Sequence, residues 1–191
     1  MSTLIIGLVV FLGVHSVRIV ADGWRSAQIA RRGLNAWKGL YSLASAVGLA
    51  LIVWGYAQAR SAPIALWAPL PWARHLAALL MIAAFVLLAA AYVPRNGIRA
   101  RLHHPMLLGV KLWAFAHLLA NHTLADLLLF GSFLLWAVLD YRAARRRDQR
   151  EHTSYAPGKA GATAITVVVG LAAYAVFALW LHAWLFGVRP F

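Results

Sequence analysis

Residues 105–122 read PMLLGVKLWAFAHLLANH. This is an apolar run of nearly membrane-crossing length, and His117 stands in its second half. An imidazole that deep in hydrocarbon is costly unless it meets a partner, so its position marks function by default. The strongest partner elsewhere is His15, similarly placed in TLIIGLVVFLGVHSVRIVA, residues 3–21. Two facing imidazoles at mid-depth suggest an iron porphyrin. On depth alone, a hydrogen bond across helices, a proton relay or a quinone contact stays open beside it.

The rest of the chain fits that setting. It has 191 residues, of which 63% are hydrophobic and 12% charged, with a mean hydropathy of +0.72. Such a composition belongs to an integral membrane protein. A bilayer core of ~30 Å takes roughly 20 apolar residues per helix. Six segments qualify: about 3–21, 38–58, 72–93, 105–121, 123–141 and 162–188. The expected fold is therefore all-α, a polytopic six-transmembrane-helix bundle forming one domain over 1–191. The N-terminus, MSTLIIG, lacks the basic start of a cleavable signal, so the first segment is expected to be a retained span.

Arg and Lys sort the connections. Thirteen of them fall in the stretches 22–38, 94–104 and 142–161, against three, Arg60, Arg74 and Arg189, in the alternate connections and at the end. The basic loops are expected in the cytoplasm and both termini in the periplasm, across a bacterial inner membrane. The formal charge of +13 thus reads as a topology signal; a nucleic-acid binder would carry its basic residues on a polar face over an ordinary core. The run RAARRRDQREHTSYAPGKAGA from Arg142 is expected to be a solvated loop near lipid headgroups. Trp24, Trp37, Trp67, Trp72 and Trp184 fall near span ends, whereas Trp54, Trp113, Trp136 and Trp180 lie deeper, as packing residues or pocket walls. Gly7, Gly13 and the SLASAVGLA run from Ser42 permit close helix approach.

Only His15 and His117, of eight histidines, lie well inside a predicted span. Counted from the cytoplasmic ends of their helices, His15 is ~9 Å deep and His117 ~18 Å, at 1.5 Å per residue. A haem standing along the membrane normal tolerates part of that offset. Arg18, one turn from His15, is placed either to pair with a haem propionate or to snorkel to headgroups. Lys111 has the same two readings, and Trp113, one turn before His117, can wall a ring. The chain has no cysteine, which excludes thiolate ligation, iron–sulfur clusters and disulfides. Five acidic residues, mostly near span ends, make paired-carboxylate catalysis improbable. No carboxylate–histidine spacing matches a zinc or di-iron site.

The order and wording of three segments carry a resemblance. FLGVHSVRI, the NAWKGLYSLASAVGLALIVWGY run from Asn35, and HHPMLLGVKLWAFAHLLANHTLADLLLFGSFLLWAVLDYRAARRR from His103 resemble the NnrU family of bacterial membrane proteins. That family is similar to the plant and cyanobacterial zeta-carotene isomerases, which are haem b enzymes of the membrane. The resemblance implies axial ligation of haem b by His15 in Val14-His15-Ser16 and by His117 in Ala116-His117. The histidine of the isomerases' R-H-P motif matches His104, but its arginine is replaced here by His103. The histidine pair those enzymes carry in the following helix has no counterpart in LLLFGSFLLWAVLDY. The cofactor site therefore transfers better than the substrate.

NnrU proteins are associated with denitrification, so the resemblance implies a role in nitrogen-oxide metabolism, with nitric oxide as a conceivable haem ligand. A haem-dependent cis–trans isomerase of a hydrophobic polyene is its catalytic form. The alternative is a non-enzymatic assembly or signalling factor that contacts nitrogen-oxide reductase components. A weaker likeness, of H-P-M-L-L-G to the isoprenylcysteine-type methyltransferases that bind S-adenosylmethionine, lacks their downstream glutamate pair, since the chain has one glutamate.

Overall fold

Helix breakers and caps divide the apolar sequence where hydrophobic length asks for a turn. The computed structural model describes residues 1–190. In chain order these form α1 (Ser2–Val20), α2 (Asp22–Arg32), α3 (Leu34–Ser61), α4 (Ala73–Tyr92), α5 (Gly97–Leu102), α6 (Pro105–Ala120), α7 (Leu124–Arg150) and α8 (Ala160–Val176). A π-helical turn, Phe177–Leu181, continues α8 into α9 (His182–Phe186). Among the described residues there is no strand, only the isolated bridges Ala65–Thr123 and Asn96–Lys159.

Five helical stretches are long and apolar enough to cross a membrane: Ser2–Val20, Leu34–Ser61, Ala73–Tyr92, Leu124–Arg150 and Ala160–Phe186. The chain is thus an all-α, multi-pass membrane protein. The sixth expected span, Pro105–Ala120, is an apolar helix of 16 residues, ~24 Å at 1.5 Å per residue and so short of a bilayer core. Its limits are set locally. Pro105 occupies the first helical position, where its missing N–H costs nothing, and the hairpin after Ala120 feeds directly into the cap of α7. There Thr123 accepts from the Asp126 N–H while the Asp126 carboxylate accepts from the Thr123 N–H, a reciprocal capping box.

Three elements differ from the expected loops. Residues 141–150 continue α7 for almost three turns beyond its apolar, membrane-crossing part, because Ala, Arg and Gln are good helix formers and nothing in RAARRRDQR breaks the ladder. The stretch 22–38 is expected as a basic connection, yet it contains α2, which has Asp22 in its first turn, Arg31 and Arg32 in its last, and a stop at Gly33 with φ +82°. The turn into α5 is built on Asn96, which is 1% exposed. Its side chain accepts from Arg99 N and donates to the carbonyls of Ala90 and Val93, so every polar atom of a buried amide is used.

α1 packs most closely on α3, α4 on α6 and α8, and α7 touches both α1 and α6. α7 therefore joins an α1–α3 unit to an α4–α6–α8 unit, and α3 and α4 do not touch. The small core between them contains Leu4, Leu8, Ile52, Leu129 and Phe130. Large apolar side chains point outward instead, among them Val9, Leu43, Leu79, Trp54 and Trp180, as lipid permits and water does not. Trp54 and Trp180 thus face outward and wall no pocket. Trp113 and Trp136 are turned in.

The connections collect at two ends. At the basic end Arg147 donates to the Arg18 carbonyl and Lys159 N to the Arg95 carbonyl. At the other, Leu124 N donates to the Ile64 carbonyl, Leu66 N to the His122 carbonyl, and Arg60 to the Phe186 carbonyl. The three cation-rich stretches thus share one end, as the alternation of loop charge expects.

Candidate functional site

His15 and His117 are held in the same way. The Nδ1 of His15 lies 2.7 Å from the Phe11 carbonyl, and the Nδ1 of His117 lies 2.8 Å from the Trp113 carbonyl, each one turn back along its own helix. A carbonyl only accepts, so Nδ1 carries the proton and the Nε2 lone pair is left exposed to a ligand or acid. Metal-ligating histidines are fixed by this kind of second hydrogen bond. No hydrogen bond reaches either Nε2 from the described residues.

Aromatic rings hold both imidazoles in place. His15 stacks on Phe11 with centroids 4.2 Å apart and lies beside Tyr41 and Trp136 at 5.2 and 5.9 Å. His117 stacks on Phe130 at 4.6 Å, with Trp113 at 5.3 Å. The two histidines are linked only through other rings: Phe11 meets Phe133 at 5.8 Å, and Phe133 meets Trp113 at 5.4 Å. Their partners on α7, Phe130 and Trp136, are six residues apart, a rise of ~9 Å. That equals the depth difference counted from the helix ends.

Arg18 lines the same cavity as His15 and Trp113 lies against His117, but the structure does not bring His15 and His117 together in one cavity. His15 opens on a cavity of about 620 Å³ at the basic end, within the ~300–1,000 Å³ of small-molecule and cofactor sites. His117 does not line it. Val14, Tyr41 and Trp136 line it along the helices, and Trp37 lines it near the basic end with Arg18, Arg25, Lys38, Arg99 and Arg147 and the acids Asp140, Asp148 and Glu151. The Trp136 Nε1 is buried without a hydrogen-bond partner. A native structure seldom leaves such a donor idle unless something else accepts from it. Lys111 is turned elsewhere, its ammonium 3.9 Å from the centroid of the Tyr141 ring.

His104 also lines the cavity, from the cap of α6. Its Nε2 lies 2.8 Å from Asp148 Oδ2, an oxygen that also accepts from the Tyr155 hydroxyl at 3.0 Å and from Arg145 at 3.3 Å. Burial opposes ionisation of Asp148, but the hydrogen bonds from His104, Tyr155 and Arg145 outweigh it and hold the carboxyl below its ordinary range. Burial, and then the bond to Asp148, push the Tyr155 phenol up. His103 completes the cluster. It stacks on Tyr155 at 4.2 Å, contacts Arg145, and takes a left-handed φ of +68°, a conformation non-glycine residues adopt at some cost. Sequence reasoning found His104 but missed Asp148, Arg145 and Tyr155. The available signal was Asp148 itself, one of two acids inside an otherwise basic run.

A second polar node lies at the opposite end. Asp126, 6% exposed, accepts from the Tyr56 hydroxyl at 2.5 Å and from the Thr123 N–H and hydroxyl at 3.0 and 2.6 Å. This buried carboxylate is satisfied and ties α3 to the α6–α7 hairpin. No group of three or more His, Asp or Glu is placed to hold a metal ion among the described residues. A porphyrin iron, carried by its own ring, asks for only one or two axial side chains.

Comparison with known proteins gives one result. A family model described as NnrU protein matches residues 3–190, nearly the whole chain. No curated protein and no solved structure matches.

Proposed function

Because the chain belongs to the NnrU family, we propose that it is a haem b-binding membrane protein in which His15 and His117 supply the axial nitrogens. The observation that carries this is the shared geometry of the two imidazoles, each with Nδ1 fixed by a carbonyl one turn back and Nε2 unused. The His15 cavity adds an aromatic wall for a flat apolar ring and a cationic mouth for two propionates, with Arg18 nearest in sequence to the ligand. We place the basic end in the cytoplasm.

When bound, haem would supply an iron able to change oxidation state and exchange an axial ligand. This chain's own residues orient, enclose and neutralise. The Phe11 and Trp113 carbonyls fix the tautomers, Trp37, Tyr41 and Trp136 exclude water, and Arg18 balances propionate charge. Bringing both Nε2 atoms to one iron requires the Phe11, Phe133 and Trp113 rings to yield, because they stand between the histidines. The spectrum therefore tests the reading sharply.

The purified protein, oxidised and then reduced, is expected to show the Soret band of a low-spin, bis-histidine haem. His15→Ala and His117→Ala are each expected to lose that signature. A colourless protein after expression with ample haem would overturn the proposal, and a high-spin spectrum unchanged by His117→Ala would remove His117 alone. The link to nitrogen-oxide metabolism rests on the family resemblance and predicts a shift of the reduced spectrum on adding nitric oxide. Polyene isomerisation is the catalytic extension. Failure of the reduced protein to convert 15-cis zeta-carotene would remove that extension and leave the haem.

A further inference from the structure

One boundary of the His15 cavity has no part in haem ligation. Trp37, Lys38, Tyr41 and Ser42 line it from α3, and Ala91 lines it from α4 with Arg99 just beyond, yet α3 and α4 do not touch. A cavity walled by two helices that never meet has a gap between them. The helices flanking this gap carry Leu40, Leu43 and Tyr92 exposed, surfaces suited to hydrocarbon. The side of the cavity between α3 and α4 is thus closed by no contact between those two helices, and only Pro105, Met106 and Leu107 of α6 border it there.

The charges at the mouth are unequal in their partners. Arg18 and Arg25 share Asp22, at 3.9 and 3.4 Å, and Arg147 lies 3.7 Å from Asp140. Lys38 has no carboxylate partner, and Arg99 reaches only the Ala91 carbonyl at 3.3 Å, among the described residues. Of the acids that line the cavity, Asp140 and Asp148 are paired and Glu151 is not, so Lys38 and Arg99 leave the mouth a net positive charge, which calls for a molecule with an anionic head and a long apolar body. A small inorganic anion would leave the gap between α3 and α4 without purpose.

We propose that this cavity is a binding site for an anionic phospholipid of the surrounding leaflet. The lipid enters between α3 and α4, its phosphate is held by Lys38 and Arg99, and an acyl chain lies in the gap. The lipid needs neither His15 nor His117 as a ligand, but it uses the same cavity as the proposed haem, so the two would compete for that space.

The test uses the full chain in nanodiscs of equal phosphatidylcholine and phosphatidylglycerol, extracted gently and read for retained lipid by native mass spectrometry. Retention of phosphatidylglycerol well above its share is expected. At about fivefold per cation near a lipid headgroup, Lys38→Gln with Arg99→Gln is expected to cut that preference by about tenfold or more. Arg146→Gln with Arg150→Gln removes the same charge from exposed positions outside the cavity and is expected to leave it. Ser42→Trp, which narrows the gap between α3 and α4, is expected to reduce retention without changing any charge. Equal retention of both lipids, equal effects of the two charge pairs, or displacement of the lipid by inorganic phosphate alone would each overturn the proposal. Haem absorbance in the same samples separates the two readings, because lipid selectivity with no haem, or haem with no selectivity, removes one and not the other.

Discussion

Asp148 shows how one side chain can organise a site that spacing does not reveal. It is 13% exposed and serves His104, Tyr155 and Arg145 with a single oxygen. Its carboxyl titrates below its ordinary value, so the stability it contributes is complete above the unfolded value of ~3.9 and is lost as pH falls through the lower folded one. Tyr155 is shifted upward, so its contribution is complete below ~10 and is lost as pH rises beyond that. Asp148→Asn is expected to cost about 1–3 kcal/mol at neutral pH and to flatten the acid limb of the melting temperature against pH in detergent. An unchanged acid limb would show that the cluster does not couple to folding. At the other end, Tyr56→Phe leaves Asp126 Oδ1 without its donor in a buried setting. A loss of about 1–3 kcal/mol is expected in reversible unfolding, and no loss would mean that water replaces the phenol.

At the scale of elements, small residues matter only where helices cross. A Cβ added at Gly7 would lie 2.6 Å from Ile52 N, and one added at Gly48 would lie 2.7 Å from Phe11 N, so α1 and α3 touch backbone to backbone. Gly13, on the same helix as Gly7 and just as conspicuous in the sequence, has nothing within 4 Å. Gly48→Ala is therefore expected to destabilise by about 1–3 kcal/mol through overpacking, whereas Gly13→Ala is expected to be neutral or to gain up to about 1 kcal/mol from helix propensity. Thermal unfolding in one detergent checks both, and equal effects would refute the crossing. The extension of α7 past Asp140 belongs to this scale too. It places Arg147 and Asp148 in the cavity lining and Arg145 against His103, which a solvated loop would not do.

For the whole molecule, the two ends can be read by chemical labelling, because the chain has no native cysteine. Ser26→Cys in α2 and Thr153→Cys after α7 are expected to react with an impermeant thiol reagent from the same face of oriented vesicles, and Ser61→Cys from the opposite face. Labelling of Ser26→Cys and Ser61→Cys from one face would mean that α3 does not cross. The same experiment gives the absolute orientation that loop charge implies.

Membrane character, the helical class, the positions of the long apolar segments and the alternation of basic and non-basic connections were all legible in the residues. Each depends on local composition summed over a helix length, and no distant contact is needed to produce it. The tautomer-fixing carbonyls of His15 and His117 were implicit as well, since a helix always offers an acceptor one turn back. What required the tertiary structure was pairing. Which glycines lie at a crossing, that α3 and α4 stand apart, that Asp148 meets His104, and that aromatic rings separate His15 from His117 follow from how helices rotate and tilt against one another. Within lipid, where nearly every face of such a helix is apolar, hydrophobic pattern cannot specify that rotation; close packing and a few buried polar bonds decide it.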